Sequence, residues 1–405
     1  MTRCRICLGP VREFVDLGRQ PRSDAFLPPG EADAHPEAEF FFRLAAGACA
    51  DCGMAQLTEP VPAEAMFHRD YPYRTSQSAR MSEHFARTAR RLAAEVRDRP
   101  DPFVVEVGCN DGGILPTLAR AGVRHLGVDP SGRAAAEAAG RGARVLTAFF
   151  GPESAAEVRA AEGPADLVYS ANTVSHVPDL ASVFAGADLL LARDGRMVFE
   201  DPYLGDILAR TAFDQIIDEH VYLFTVGAVR QAARRYGFEL VDVEPLDVHG
   251  GQLRFTVARP GRYRVSSAVK RTLRVEGLGL AALDGFAARV EHVRDELVAL
   301  LRTLREQGRR VVGYGATAKS ATVTNYCGIG PDLLPFVCDS TPAKQGLVTP
   351  GTHIPVRPPA AFADPYPDFA LLFAWNHAEE IMAKERAFRA AGGRWIRYVP
   401  GVRVV

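Results

Sequence analysis

The run Val104-Val105-Glu106-Val107-Gly108-Cys109-Asn110-Asp111-Gly112 constrains this chain more than any other stretch. A β-branched apolar strand ends in a glycine turn. Seventeen residues beyond Gly112, an acid, Asp129, closes the next apolar run, Leu126-Gly127-Val128. Strand, glycine turn, helix and a second strand ending in an acid form the opening of a doubly wound α/β sheet. Gly108, Gly112 and Gly113 let a ligand lie against the backbone where a Cβ would collide. An acid at the end of the second strand can accept hydrogen bonds from two ribose hydroxyls, so the pattern predicts an adenosine site.

The spacing is not G-x-G-x-x-G. It fits better the E-x-G-x-x-x-G loop of S-adenosylmethionine (SAM)-dependent methyltransferases. A dinucleotide would place its pyrophosphate at the helix N-terminus, where Asp111 carries a like charge. A methyl donor is therefore favoured over a dinucleotide, and over a plain strand–turn–helix without a ligand.

With 405 residues the chain has room for two or three domains. Its 47% hydrophobic and 24% charged content is that of a globular protein, and a net charge of −1 gives nucleic acid no basic surface to bind. No apolar run approaches the ~20 residues of a membrane span. The N-terminus has no apolar signal core, so a cytoplasmic protein without membrane or nucleic-acid partners is expected. Nothing marks an oligomer seam.

Cys4-x-x-Cys7 and Cys49-x-x-Cys52 supply four thiolates in two knuckles, 41 residues apart. Four sulfurs suit tetrahedral Zn²⁺ and leave no open position for water, so the expected zinc is structural. Disulfides are the alternative, disfavoured in a reducing compartment. The segment is too short to bury much of a core, so the metal should supply much of its folding energy. Tyr71 and Tyr73, flanking Pro72, follow it and could line a pocket or pack on the surface.

Strand–helix alternation continues through Ala165–Ser170, which runs into Asn172-Thr173-Val174-Ser175-His176. Ligands in open α/β sheets bind beyond the carboxyl ends of strands, so His176 is a site candidate. After the strand Gly195–Tyr203 comes Phe213-Asp214-Gln215-Ile216-Ile217-Asp218-Glu219-His220. An imidazole beside a carboxylate can be held in one tautomer and act as a general base near neutral pH. A helix-capping polar cluster, or a metal site of His176, Glu219 and His220, are the other readings. Residues 264–309, rich in Arg and Glu, read as a helical connector with solvated faces. Arg309–Ser320 is a second strand–glycine turn–helix, and Phe336-Val337-Cys338 a next strand ending in Asp339. That unit could seat a phosphate on backbone N–H groups and Lys319, or simply pack as an α/β unit. The expected divisions are 1–75 (zinc module), 76–255 (class I Rossmann-like methyltransferase domain) and 256–405 (C-terminal Rossmann-like α/β domain).

Several stretches, in this order, carry a resemblance: the paired C-x-x-C motifs, E-V-G-C-N-D-G at 106–112, N-T-V-S-H-V-P-D at 172–179 and F-D-Q-I-I-D-E-H at 213–220. They continue with H-G-G-Q-L-R at 249–254, G-Y-G-A-T-A-K-S at 313–320, N-Y-C-G-I at 325–329 and A-W-N at 374–376. Together they resemble the sugar C-methyltransferases of natural-product deoxysugar biosynthesis over almost the whole chain. The resemblance implies SAM as donor, a zinc remote from the chemistry, and a nucleotide-diphosphate sugar held by the C-terminal domain. It implies methylation at carbon 3 of a 4-keto-6-deoxysugar through an enolate, with His220 as base. Glu219 would orient it or contact a hydroxyl, His176 would stabilise the enolate or relay a proton, and Tyr71 or Tyr73 would close over the ring. The donor site would comprise Glu106, Gly108, Asn110, Asp111, Gly112, Asp129, Phe149 and Asn172. The substrate site would comprise Tyr203, Tyr222, His249, Arg254, Gly315, Lys319 and Asn325. One position departs: the family's Y-x-E-H motif has Ile217 here in place of tyrosine. Either Tyr222 or Tyr203 supplies that phenol, or the reaction differs. Epimerisation or isomerisation of a ketosugar, O- or N-methylation, and a non-catalytic scaffold are the rival readings.

Overall fold

Two short knuckles flank the first hairpin of the chain. In the computed structural model, which describes residues 2–34, 39–67, 74–276 and 283–405, β1 (Val11–Pro21) pairs antiparallel with β2 (Phe41–Cys49), and β2 with β3 (Ala55–Leu57). Tyr71 and Tyr73 lie outside the described residues. Phe14, Leu17, Leu44, Ala46 and Leu57 join one apolar core with residues from both later parts of the chain, so the sheet does not stand alone.

The middle of the chain is the expected doubly wound unit. β4 (Phe103–Val107), β5 (Arg124–Val128), β6 (Val145–Leu146), β7 (Ala165–Ala171) and β8 (Leu191–Pro202) run parallel. All five residues of β4 are buried, as a parallel strand covered on both faces requires. After β8 the chain leaves this sheet. β9 (Tyr222–Leu223) pairs with β3, adding a fourth strand to the zinc sheet. The chain then returns as β10 (Glu239–Leu246) and β11 (Gln252–Ala258), which complete the order β10-β11-β8-β7-β4-β5-β6. β11 runs three residues past the expected boundary at 255. Val269 of the next helix, Ser267–Glu276, still packs in this sheet's core.

Helix Phe286–Glu306 corrects one expectation. It keeps solvated faces but is more than a connector, because one face is buried. Phe286, Val290, Val293, Leu297, Leu301 and Leu304 form a buried stripe against the zinc sheet and the last domain. That domain holds β12 (Val311–Tyr314), β13 (Val337–Cys338), β14 (Val356–Arg357), β15 (Phe369–Leu372), β16 (Arg394–Arg397) and β17 (Arg403–Val404), ordered β14-β13-β12-β15-β16-β17. The carboxyl ends of β4, β5 and β12, and the segment before β9, meet around one cavity of about 450 Å³.

Candidate active site

At one end of the cavity, the loop after β4 turns through left-handed backbone at Gly108 (φ +69°) and Asn110 (φ +50°). A Cβ on Gly108 would lie 2.1 Å from Thr173 Oγ1, so glycine is required. Asp129 follows β5 directly. Its Oδ2 accepts from the Asn110 N–H at 2.8 Å and its Oδ1 from the Ser131 N–H at 2.8 Å. Each oxygen keeps a further lone pair for a ligand hydroxyl. Burial pushes this carboxyl upward. Gly108, Asn110, Asp129, Phe149 and Asn172 all line the cavity, as do Ser131 and Phe150, which the sequence did not single out.

Glu106, Asp111 and Gly112 do not reach it. Glu106 is buried behind the loop, where its carboxylate accepts from the Ile114 N–H at 3.1 Å. A Cβ on Gly113 would lie 2.4 Å from Glu106 Oε1. Asp111 accepts from the Thr75 and Ser76 hydroxyls and pairs with Arg141 at 3.0 Å. These acids shape the loop and tie down residues 75–76, whereas the sequence had placed them against the donor.

The segment bearing His220 is held from both sides. Asp218 accepts from Ser23 N–H at 3.0 Å and Ser23 Oγ at 2.5 Å. Beyond it, Leu57 N–H donates to Val221 O at 2.9 Å, where β9 joins the zinc sheet. His220 Nδ1 lies 2.6 Å from Gln215 O. A carbonyl only accepts, so Nδ1 carries the proton and Nε2 the lone pair. Burial, reinforced by the Lys319 charge and opposed by the Gln215 bond, lowers the His220 pKa to about 4. The ring is therefore neutral at pH 7. Its centroid is 5.2 Å from that of His176, which stacks on Phe67 at 5.4 Å. Burial drives His176 well below its ordinary pKa. His176, Glu219, His220 and Ile217 line the cavity together.

Neither candidate phenol does. Tyr222 OH donates to Pro178 O at 2.6 Å, and burial, with the charge of Glu276, raises the Tyr203 pKa. Neither ring lines the cavity, so neither replaces the phenol missing at Ile217.

The far end repeats the first. Gly315 N–H donates to Cys338 O at 2.8 Å, as Gly108 N–H does to Val128 O at 2.8 Å. Asp339 accepts from Ala316 N–H and Thr341 N–H, each at 2.7 Å, in the manner of Asp129. Gly315, at φ +92°, packs on Ala374. Lys319 Nζ sits 4.9 Å over the Trp375 ring, buried and without a hydrogen-bond partner among the described residues. Trp375 Nε1 and Tyr398 OH donate to Asp214 Oδ2 at 2.7 and 2.6 Å. His249 and His377 meet edge to face at 6.2 Å. Burial lowers both, His377 to about 4.

Two further candidates fall away. Asn325 Nδ2 donates to Ala321 O and Pro350 O and holds a loop. Arg254 is buried on Glu200 at 2.7 Å, Glu244 at 2.8 Å and Thr88 at 2.8 Å, facing a separate cavity. Gln215, Asp339, Asn376 and His377 also line the site, beyond the residues the sequence points to. Asp339 ends the strand Phe336-Val337-Cys338 and Asn376 lies in A-W-N, so both carry a signal in the sequence. A backbone carbonyl such as that of Gln215 leaves no sequence signal.

The four knuckle sulfurs lie within 4.8 Å of one another, with Cys4–Cys52 at 3.5 Å and Cys7–Cys49 at 3.4 Å. Zinc bonds of ~2.3 Å in a tetrahedron put sulfurs about 3.8 Å apart, so the set fits Zn²⁺. All seven cysteines are free thiols, against the disulfide alternative. Among the described residues His176, Glu219 and His220 form no metal-binding group. No described helix is long and apolar enough to cross a membrane.

Three family profiles match: a zinc binding domain over residues 4–67, a methyltransferase domain over 77–243, and a C-methyltransferase C-terminal domain over 247–400. The C-methyltransferase NovU of Streptomyces niveus is 33% identical over 408 residues, 99% of this chain and 96% of its own. Among solved structures, magnesium protoporphyrin IX methyltransferase of Synechocystis PCC 6803 with bound S-adenosylhomocysteine (SAH) aligns over 43% of this chain and 83% of its own. It does so at 16% identity and TM-score 0.34. A SAM-dependent methyltransferase of Anabaena variabilis aligns over 50% of this chain and 100% of its own, also at 16% identity and TM-score 0.34. Likenesses at that level carry no argument about the site. The relation to NovU over nearly the full length of both chains shows the family: this chain belongs to the C-methyltransferase family, as a SAM-dependent methyltransferase with a four-cysteine zinc-binding domain.

Proposed function

We propose that the chain methylates carbon 3 of a nucleotide-diphosphate 4-keto-6-deoxysugar, with His220 as general base. The observation that carries this reading is the His220 tautomer. A neutral imidazole, fixed by Gln215 O, keeps its Nε2 lone pair available in the cavity. A C–H beside a ketone is acidic enough for such a base.

In this reading 1–75 holds the zinc, 76–255 the donor and 256–405 the sugar nucleotide. Asp129 accepts from the donor ribose, while Asn110, Asn172 and Phe149 enclose its adenosine. When bound, SAM supplies an electrophilic methyl group. Glu219 contacts a sugar hydroxyl, and neutral His176 backs the base. Asp339 and the loop Gly315–Lys319 face the nucleotide sugar.

The test is solvent exchange. A 4-keto sugar nucleotide in D₂O, without donor, should exchange the proton beside its ketone with wild type and not with His220→Ala. Equal exchange in the mutant would assign the base elsewhere. Methylation of an oxygen or nitrogen, with no exchange by wild type, would mean that Ile217 marks a changed reaction.

A further inference from the structure

Three cationic side chains line the cavity among the described residues: Arg74, Lys344 and Lys319. Two are committed. Arg74 pairs with Glu137 at 2.8 Å. Lys344 Nζ is 3.1 Å from Asp24 and donates to Ala316 O at 2.9 Å. Lys319 Nζ is buried over Trp375 with no hydrogen-bond partner among the described residues. Burying an ammonium in this way is costly unless a ligand completes it. Its position links it to the base. A Cβ on Gly250 would lie 2.4 Å from Trp375 Cη2 and 3.2 Å from Gln215 Nε2, and the carbonyl of Gln215 holds His220. Around Lys319 are the neutral rings of His220, His249 and His377 and one buried carboxylate, Asp214, whose charge favours the ammonium against the burial that lowers its pKa; rings and carboxylate offer little to a permanent multiple charge such as a diphosphate. On the base's own segment, Ile217 offers only hydrocarbon, and neither Tyr203 nor Tyr222 lines the cavity.

We propose that Lys319 is a catalytic residue whose ammonium pairs with the substrate's ketone oxygen as that oxygen becomes an enolate. This rests on the carbon-methylation reading above. His220 Nε2 takes the proton beside the ketone. The C–H electron pair becomes the C=C bond, and the carbonyl π pair moves onto the oxygen facing Lys319. The enolate carbon then takes the methyl, whose former bonding pair stays on sulfur as the ketone re-forms. The proton on His220 leaves to solvent. A fixed charge in a dry site stabilises such an oxyanion far better than water would.

The test compares wild type, Lys319→Met and Lys319→Arg in three measurements: donor-free deuterium exchange beside the ketone, kcat and KM with donor, and SAH affinity by calorimetry. Lys319→Met should lose ~10²–10³-fold in both exchange and kcat, with KM changed only a few-fold and SAH affinity kept. Lys319→Arg should recover part of the loss. A Lys319→Met enzyme with normal exchange and kcat but a large rise in KM would make Lys319 a phosphate anchor and overturn the proposal. Should Lys319→Met lose SAH binding through misfolding, Lys319→Gln gives the same comparison. If wild type itself fails to exchange, the carbon-methylation reading falls, and this inference with it.

Discussion

Gln215 leaves His220 a single nitrogen to work with. Its carbonyl takes the Nδ1 proton at 2.6 Å, and burial holds the imidazole near a pKa of about 4. A base with its pKa lowered from 6.5 is protonated, and lost, only when the pH falls toward 4. The acid limb of the kcat/KM profile should therefore lie near 4, and a limb near 6.5 would show an ordinary solvated histidine. His220→Ala should lower turnover by ~10²–10⁴-fold while SAH still binds. Asp129 is the matching residue at the donor end. Its Oδ2 already holds the glycine loop at Asn110 and its Oδ1 the turn at Ser131, so Asp129→Ala should remove the proposed ribose contacts and loosen the cradle together. SAH affinity should fall by ~1–3 kcal/mol, read by calorimetry. An unchanged affinity would place the ribose elsewhere.

At the scale of elements, what was legible had a strong local signature. β4 and β5 read as strands because strands buried on both faces are nearly continuous apolar runs, and the acid after β5 then fell at the site. The knuckles read from spacing alone. Arg254 was misread for a reason the register makes plain. Gln252 and Arg254 share one face of β11, and Gln252 lines the cavity. Arg254, two residues further along the strand, sits opposite Glu200 of β8 and pairs with it. No single-strand pattern shows that partner. Helix Phe286–Glu306 was obscured differently. Its many Arg and Glu residues masked a regular apolar stripe at three- and four-residue spacing. Leu297 is fully buried in that stripe, so Leu297→Ala should cost ~2–5 kcal/mol in chemical unfolding. A cost under ~1 kcal/mol would mean the helix is the solvated connector its composition suggested.

At the scale of the whole molecule, the zinc module and the segment bearing His220, the proposed base, are one mechanical unit. The resemblance implied a metal remote from the chemistry. Yet β9 begins two residues after His220 and is the fourth strand of the zinc sheet, while Asp218, two residues before His220, is held by Ser23, two residues past the end of the sheet's first strand. Cys49 closes β2, so the metal organises the strand on which β3, and through it β9, is registered. Metal binding supplies folding energy to so small a sheet. Purified protein should hold about one zinc per chain. Removing it, or substituting Cys49→Ser, should lower the melting temperature and suppress proton exchange at the substrate. SAH affinity should change far less, because Asp129 and the loop after β4 belong to the middle sheet. Calorimetry and exchange on the same metal-stripped sample read the two effects separately. Equal losses in both would mean that the module supports the whole fold. Full exchange and an unchanged melting temperature in zinc-free protein would show that the base segment is held by its own packing and owes nothing to the metal.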